Sequence, residues 1–346
     1  MPNHPRLVIG VPKEIKSQEG RVGLTPQAVQ SLKSRFNCFV LVEEGAGEKA
    51  GFNNADFKTA GAQLVPTAKE VYQAAQLIVK VKEILPPEFE FLRPEQAIFA
   101  FLHPAANPKM IQVFLDKKIL GVSFDMIINR QGRLPILEPM SRVAGKLAIQ
   151  EALKINPGIK KILVVGCGTA GTAAIQEALS TIPEVKIVAL DIKQEKIDKL
   201  AAKITDRRLI LQLSSFSVLT TSLSWADLVV GAVLVPGKNA PVVIERQMLK
   251  IMRPGAIIVD IAIDQGGCAA TSRPTTHSHP IYEVDGVIHY CVANMPGAVP
   301  KISTPLLVKA HLPYLRQMLE RGINPLQWSP TLRRGVCSWQ GKLMEF

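Results

Sequence analysis

Three glycines, Gly166, Gly168 and Gly171, stand in G-x-G-x-x-G spacing within KKILVVGCGTAGTAAIQEAL, between an apolar strand-like run and a helix-like one. That spacing suits a dinucleotide. Gly166 permits a tight turn, Gly168 lets backbone approach a pyrophosphate, and Gly171 lets the helix pack closely while its N-terminal amides face the phosphates. Asp191 closes the next apolar run, VKIVALD, twenty residues after Gly171. An acidic group there bonds the adenosine ribose hydroxyls and repels a 2′-phosphate, so the expected cofactor is NAD, with Lys193 nearby leaving NADP open. A second chemical cue is QLIVKVKEIL, where alternation along a strand puts the ammonium groups of Lys80 and Lys82 on one face.

The elements that must position these groups follow from apolar periodicity. Short apolar runs at 7–11, 38–42, 77–81, 97–102 and 121–124 alternate with helix-like segments, as β/α units of a parallel sheet do. From Pro139, PMSRVAGKLAIQEALK reads as a helix that INPG ends, and β/α alternation resumes from Lys160. The expected fold is α/β, with two doubly wound Rossmann-like domains. The stretch TPLLVKAHLPYLRQMLERG is expected to return to the first of them, making the catalytic domain discontinuous. Its expected bounds are 1–135 with 301–346, and those of the nucleotide domain are 136–300.

Composition narrows the function classes. With 47% apolar and 20% charged residues among 346, the chain suits a compact enzyme-like body of two domains. No apolar run reaches the ~18 residues of a membrane span, and MPNHPRLVIG lacks a secretory core, which points to the cytoplasm and to no membrane partner. The five cysteines are scattered and lack a C-x-x-C pair, so they read as reduced thiols, with no metal site expected. A net charge of +12 raises nucleic acid as a partner, but the basic residues are dispersed or helically spaced as on a solvated face, so none is expected.

The stretches GVPKEIKSQEGRVGLTP, VKVKEILPPE, FLHPAA, PMSRVAGKLAIQ, GAVLVPG, DIAIDQGGCAATSRPTTH and VANMPGAVP follow one another over nearly the whole chain. Together they resemble, in order, the alanine dehydrogenase family, related to the nucleotide-binding subunit of proton-translocating transhydrogenase. The resemblance implies a two-domain subunit, commonly in a homohexamer, that interconverts L-alanine and NAD with pyruvate, ammonium and NADH. It implies that Arg21 holds the substrate carboxylate and that Lys82 polarises the oxo group from a cleft between domains. His103 would pass protons and Asp264 would orient ammonia or water. Met140 and Asn294 would border the substrate. Ser141, Thr169, Asp191, Lys196 and Ser214 would surround the phosphates and adenosine. Val233, Leu234, Ile261, Ala262, Ile263, Asp264, Arg273, Val292, Ala293, Asn294 and Met295 would line the rest of the cofactor site. Lys80 gains no role and reads as a solvated edge, and Asp260 reads as structural.

Three departures from the family pattern bear on activity. Only EALKINPGIK joins the PMSRVAGKLAIQ helix to the fingerprint strand, where a longer glycine-rich segment is usual. Phe101 replaces a usual tyrosine. HPAANP alters the neighbourhood of His103, with Pro104 expected to push His103 toward extended backbone. Two alternatives therefore stand beside alanine dehydrogenase: a dehydrogenase of another small amino or oxo acid, and a non-catalytic NAD-binding module resembling the soluble transhydrogenase subunit.

Overall fold

The computed structural model describes residues 7–235 and 239–344; the first six residues, and Pro236 and Gly237 of the GAVLVPG stretch, lie outside the described residues. Among the described residues fifteen strands form. They are β1 Leu7–Val11, β2 Cys38–Glu43, β3 Gln63–Val65, β4 Leu77–Val79, β5 Ala97–Ala100, β6 Leu120–Ser123, β7 Lys161–Val165, β8 Lys186–Asp191, β9 Leu209–Leu213, β10 Leu228–Gly231, β11 Ile257–Asp260, β12 Ile281–Val284, β13 Val287–Tyr290, β14 Val336–Trp339 and β15 Lys342–Leu343. They divide between two compact units, one of residues 1–140 and 297–346, the other of residues 141–296.

In the first unit the sheet order is β3-β2-β1-β4-β5-β6-β14-β15, with β1 to β6 parallel and the last two strands antiparallel at one edge. Strands β4, β5 and β6 are buried along their whole length, as parallel strands covered on both faces by helices must be. The order reverses between β1 and β4. Such a switch point opens a crevice at the carboxyl ends of the strands, because the connections on either side leave toward opposite faces. The loop after β1 closes into the helix Pro26–Arg35, which Thr25 caps by accepting from Ala28 N–H at 3.2 Å and Pro26 starts. The helix Pro300–Arg321 returns to this unit and places Leu307, Val308, Leu315 and Met318 in its core.

The second unit repeats the plan with the order β9-β8-β7-β10-β11-β13-β12, parallel except for the β12–β13 hairpin. Its switch point lies between β7 and β10. The expected doubly wound α/β architecture is the observed one. The helix Leu137–Ile155 carries the chain from the first unit into the second. Among the described residues no helix is long and apolar enough to cross a membrane.

Candidate active site

In the first unit, four successive strand ends carry the polar groups. The loop after β1 holds Arg21, which is 2% exposed. Its Nε and one terminal nitrogen donate to the two carboxylate oxygens of Glu19 at 2.8 and 2.6 Å, and its other terminal nitrogen lies 3.2 Å from Met140 Sδ. One edge of the planar fork is thus anchored by a carboxylate. The other meets a thioether sulfur, a weak acceptor that a ligand carboxylate can outcompete. Arg21 and Met140, both expected at the substrate, are in contact.

Lys82, 8% exposed, follows β4, and Glu14 Oε1 accepts from Val81 N–H at 2.6 Å and from Lys82 N–H at 3.4 Å. Lys80 corrects the sequence reading. It is 1% exposed, with Nζ 2.5 Å from Glu88 Oε1 and 3.9 Å from Glu14 Oε2. Alternation located its face but not the cover over it, which the turn Pro86–Phe91 supplies by folding Glu88 back against β4.

His103 follows β5 in left-handed backbone, φ 45° and ψ 59°, and not in the extended conformation that Pro104 favours. A left-handed non-glycine residue costs about 1–2 kcal/mol. Asn107 offsets this with Nδ2–H bonds to the carbonyls of Leu102 at 3.0 Å and His103 at 3.1 Å, each worth about 1 kcal/mol. The ring lies parallel to Phe101, centroids 5.9 Å apart, and Nδ1 is 3.5 Å from Asp125 Oδ2. Nε2 is then the nitrogen presented for proton transfer. Asp125, just past β6, also accepts from Ser123 Oγ at 2.5 Å. Burial works to raise the Asp125 carboxyl, but His103 and Ser123 overrule it and hold the group below the ordinary range.

A fully buried histidine, His311, donates from Nε2 to Gly23 O at 2.9 Å, tying the loop that carries Arg21 to the helix Pro300–Arg321. Burial takes it down to about 4, so it is neutral near pH 7.

In the second unit the fingerprint turn follows β7. Gly166 has φ +104°, and a Cβ on Gly171 would sit 1.9 Å from Gly166 O, so the turn and the close approach of helix Thr169–Thr181 both require glycine. A Cβ on Gly168 would meet nothing within 4 Å, which leaves open space in front of the helix amides. Asp191 ends β8 with 5% exposure. It accepts from Cys167 N–H at 2.9 Å and Lys193 N–H at 3.0 Å, with Lys196 Nζ 3.5 Å away. Each carboxylate oxygen keeps acceptor capacity for a ribose hydroxyl. Ser214 N–H bonds Asp191 O at 2.9 Å, and Val233 and Leu234 follow β10. These residues fit a dinucleotide.

Asp264 lies in the 3-10 turn Ile261–Gln265 beyond β11, exposed, and both its oxygens face Asn294 N–H, at 3.0 and 3.3 Å. Asn294 is itself left-handed, φ 57°. Ala262, Ile263, Val292 and Met295 are buried, whereas Ser141, Thr169, Ile261 and Ala293 are half-buried. Arg273 is exposed, with its guanidinium 4.3 Å over the Tyr282 ring.

Sequence models describing the alanine dehydrogenase/PNT N-terminal and C-terminal domains match residues 10–144 and 147–345. The chain belongs to the alanine dehydrogenase/PNT family. Among its relatives, alanine dehydrogenase of Mycobacterium tuberculosis is 40% identical, covering 97% of this chain and 94% of that protein. A solved L-alanine dehydrogenase superposes with a TM-score of 0.91 at 36% identity, covering 98% and 97% of the two chains. A transhydrogenase from Sinorhizobium meliloti shares the fold, with a TM-score of 0.82 at 23% identity. Membership in the alanine dehydrogenase/PNT family implies a nicotinamide nucleotide as cofactor. Sequence reading missed Glu14, Glu19, Glu88, Asn107 and Asp125. Asp125 alone had a visible signal, a carboxylate just past an apolar strand, the same cue that marked Asp264.

Proposed function

We propose that this protein is an NAD-dependent alanine dehydrogenase that deaminates L-alanine oxidatively to pyruvate and ammonium and runs the reverse reductive amination. The observation that carries the reading is the 40% identity to a protein of that name along 97% of the chain. Arg21 grips the substrate carboxylate with the fork edge that Glu19 does not occupy. Lys82 binds the oxo oxygen, drawing charge from the carbon that ammonia attacks, and Met140 borders the substrate beside Arg21. His103, aligned by Asp125, moves the proton to and from the carbinolamine oxygen through Nε2. Asp264, aligned by Asn294 N–H, orients ammonia or water and stabilises the iminium cation.

The nicotinamide, when bound, supplies the hydride acceptor in one direction and the donor in the other. Gly166, Gly168, Gly171, Ser141 and Thr169 hold its pyrophosphate, and Asp191, Lys196 and Ser214 hold the adenosine, with Asp191 favouring NAD over NADP. Val233, Leu234, Ile261, Ala262, Ile263, Arg273, Val292, Ala293 and Met295 line the remainder. The working form is a homo-oligomer, a hexamer, in the cytoplasm, in keeping with five buried cysteines outside any disulfide.

The test follows NADH absorbance with pyruvate and ammonium. Wild type is expected to oxidise NADH only when both are present and to use NADPH poorly. His103→Ala and Asp264→Ala should each lower kcat about 10²- to 10⁴-fold. A wild type without ammonium-dependent oxidation overturns the reading.

A further inference from the structure

Lys82 rides on a short turn whose backbone donors are taken by carboxylates. Glu14 Oε1 accepts from Val81 N–H at 2.6 Å and Lys82 N–H at 3.4 Å, and Glu88 Oε2 accepts from Leu85 N–H at 2.8 Å. Lys80 reaches between the two, 2.5 Å from Glu88 and 3.9 Å from Glu14, and Tyr72 donates its hydroxyl to Glu88 at 2.8 Å. The loop after β1, the turn after β4 and the 3-10 turn Pro86–Phe91 are thereby tied together by buried charges. Glu14 Oε2 is buried, within ion-pair range of Lys80, and has no hydrogen-bond partner among the described residues. Two carboxylates share one ammonium.

We propose that Glu14, Lys80 and Glu88 form a buried brace that positions Lys82 against the substrate oxo group, with the charge on Glu14 setting how firmly the turn is held. The inference rests on the role of Lys82 given above. Burial pushes the Glu14 carboxyl up to about 7; Lys80 pulls it back, and Glu19 and Glu88 push it further up. The other groups in electrostatic reach of the cluster are Lys82 on the turn, Arg21 paired with Glu19, Tyr72 against Glu88, and Glu43 beside Lys13 on the neighbouring strand end. When ionised, Glu14 accepts the Val81 and Lys82 amides through charge-assisted bonds about twice as strong as neutral ones. When it is protonated the turn slackens.

Glu14→Gln keeps an acceptor oxygen and leaves Lys80 paired with Glu88, so it is the variant to make. Its pyruvate KM, divided by that of wild type, should be about 1 near pH 6 and rise about tenfold by pH 8.5, with kcat within about twofold and NADH affinity unchanged. Taking the ratio removes any pH dependence that both proteins share. In a Lys82→Met background the effect should vanish. Glu88→Gln, which leaves Lys80 to Glu14 alone, should move the inflection of pyruvate KM to lower pH and keeps the test open should Glu14→Gln not fold. A pH-independent ratio, an effect on kcat or NADH affinity alone, persistence without Lys82, or an unmoved inflection in Glu88→Gln overturns the brace. A wild type that fails to oxidise NADH whichever oxo acid is supplied with ammonium removes the role of Lys82, and the brace with it.

Discussion

The two units hold their charged groups in different ways. In the first, side chains hold side chains: Glu19 holds Arg21, Glu14 and Glu88 share Lys80, and Asp125 faces His103. In the second, backbone donors predominate at Asp191, Asp264 and Asp260. Asp191 takes two N–H groups, Asp264 takes that of Asn294, and Asp260 takes those of Ala262, Cys268 and Ala269 together with the Ser272 hydroxyl. An amide never titrates in the working range, whereas a side-chain pair weakens whenever either partner gains or loses a proton. The first unit therefore carries the carboxyls whose protonation bears on its geometry, Glu14 held above the ordinary carboxylate range and Asp125 below it. In the second unit backbone amides supply most of the donors to Asp191, Asp260 and Asp264.

The sharpest break in this contrast should come from Lys80→Met, which strands two buried carboxylates without a cation. It is expected to destabilise the fold by about 3–5 kcal/mol near pH 8 and by less near pH 5, as read by urea unfolding at both. A pH-independent loss would count against the shared-cation picture. Next is wild-type stability itself. Glu14 lies above its ordinary value of 4.5 when folded, at about 7, so the folded chain keeps a proton that the unfolded chain has released. Its contribution is full below about pH 4.5 and gone above about pH 7, a fall of about 3 kcal/mol that Glu14→Gln should abolish.

For the second unit, Asp260→Asn removes an acceptor from Cys268 N–H and Ser272 and should cost about 2 kcal/mol, equally at pH 6 and pH 9. A strong pH dependence there would dissolve the comparison. Asp125→Asn should leave the fold in place and lower kcat about tenfold, because the His103 ring loses the carboxylate that orients it. The smallest effect is expected from Lys196→Met. This cation, 43% exposed, lies 3.5 Å from Asp191, and its loss should change stability by less than about 0.5 kcal/mol.

Much of this was legible in the sequence. Strands covered on both faces, such as β4 to β6, must read as apolar runs, and the glycine turn must read as glycine. Short edge strands carry too little pattern: β3 has three residues, and β12, β14 and β15 lie in hairpins or at sheet edges. The brace was illegible for a different reason. Glu14 and Val81 are 67 residues apart, and nothing in the alternation around Lys80 tells of a carboxylate arriving from the loop after the neighbouring strand β1. His103 shows local preference overridden: the tendency imposed by Pro104 loses to two amide bonds from Asn107, three residues further on than the proline.

That override constrains how HPAANP can change over generations. His103 reaches its angle only while Asn107 holds both carbonyls, so a lineage that loses Asn107 first inherits a relaxed backbone and a misdirected imidazole. Restoring the aim would then call for new donors to the carbonyls of Leu102 and His103. Order of replacement, and not merely the set of residues present, decides which descendants of this loop can still work.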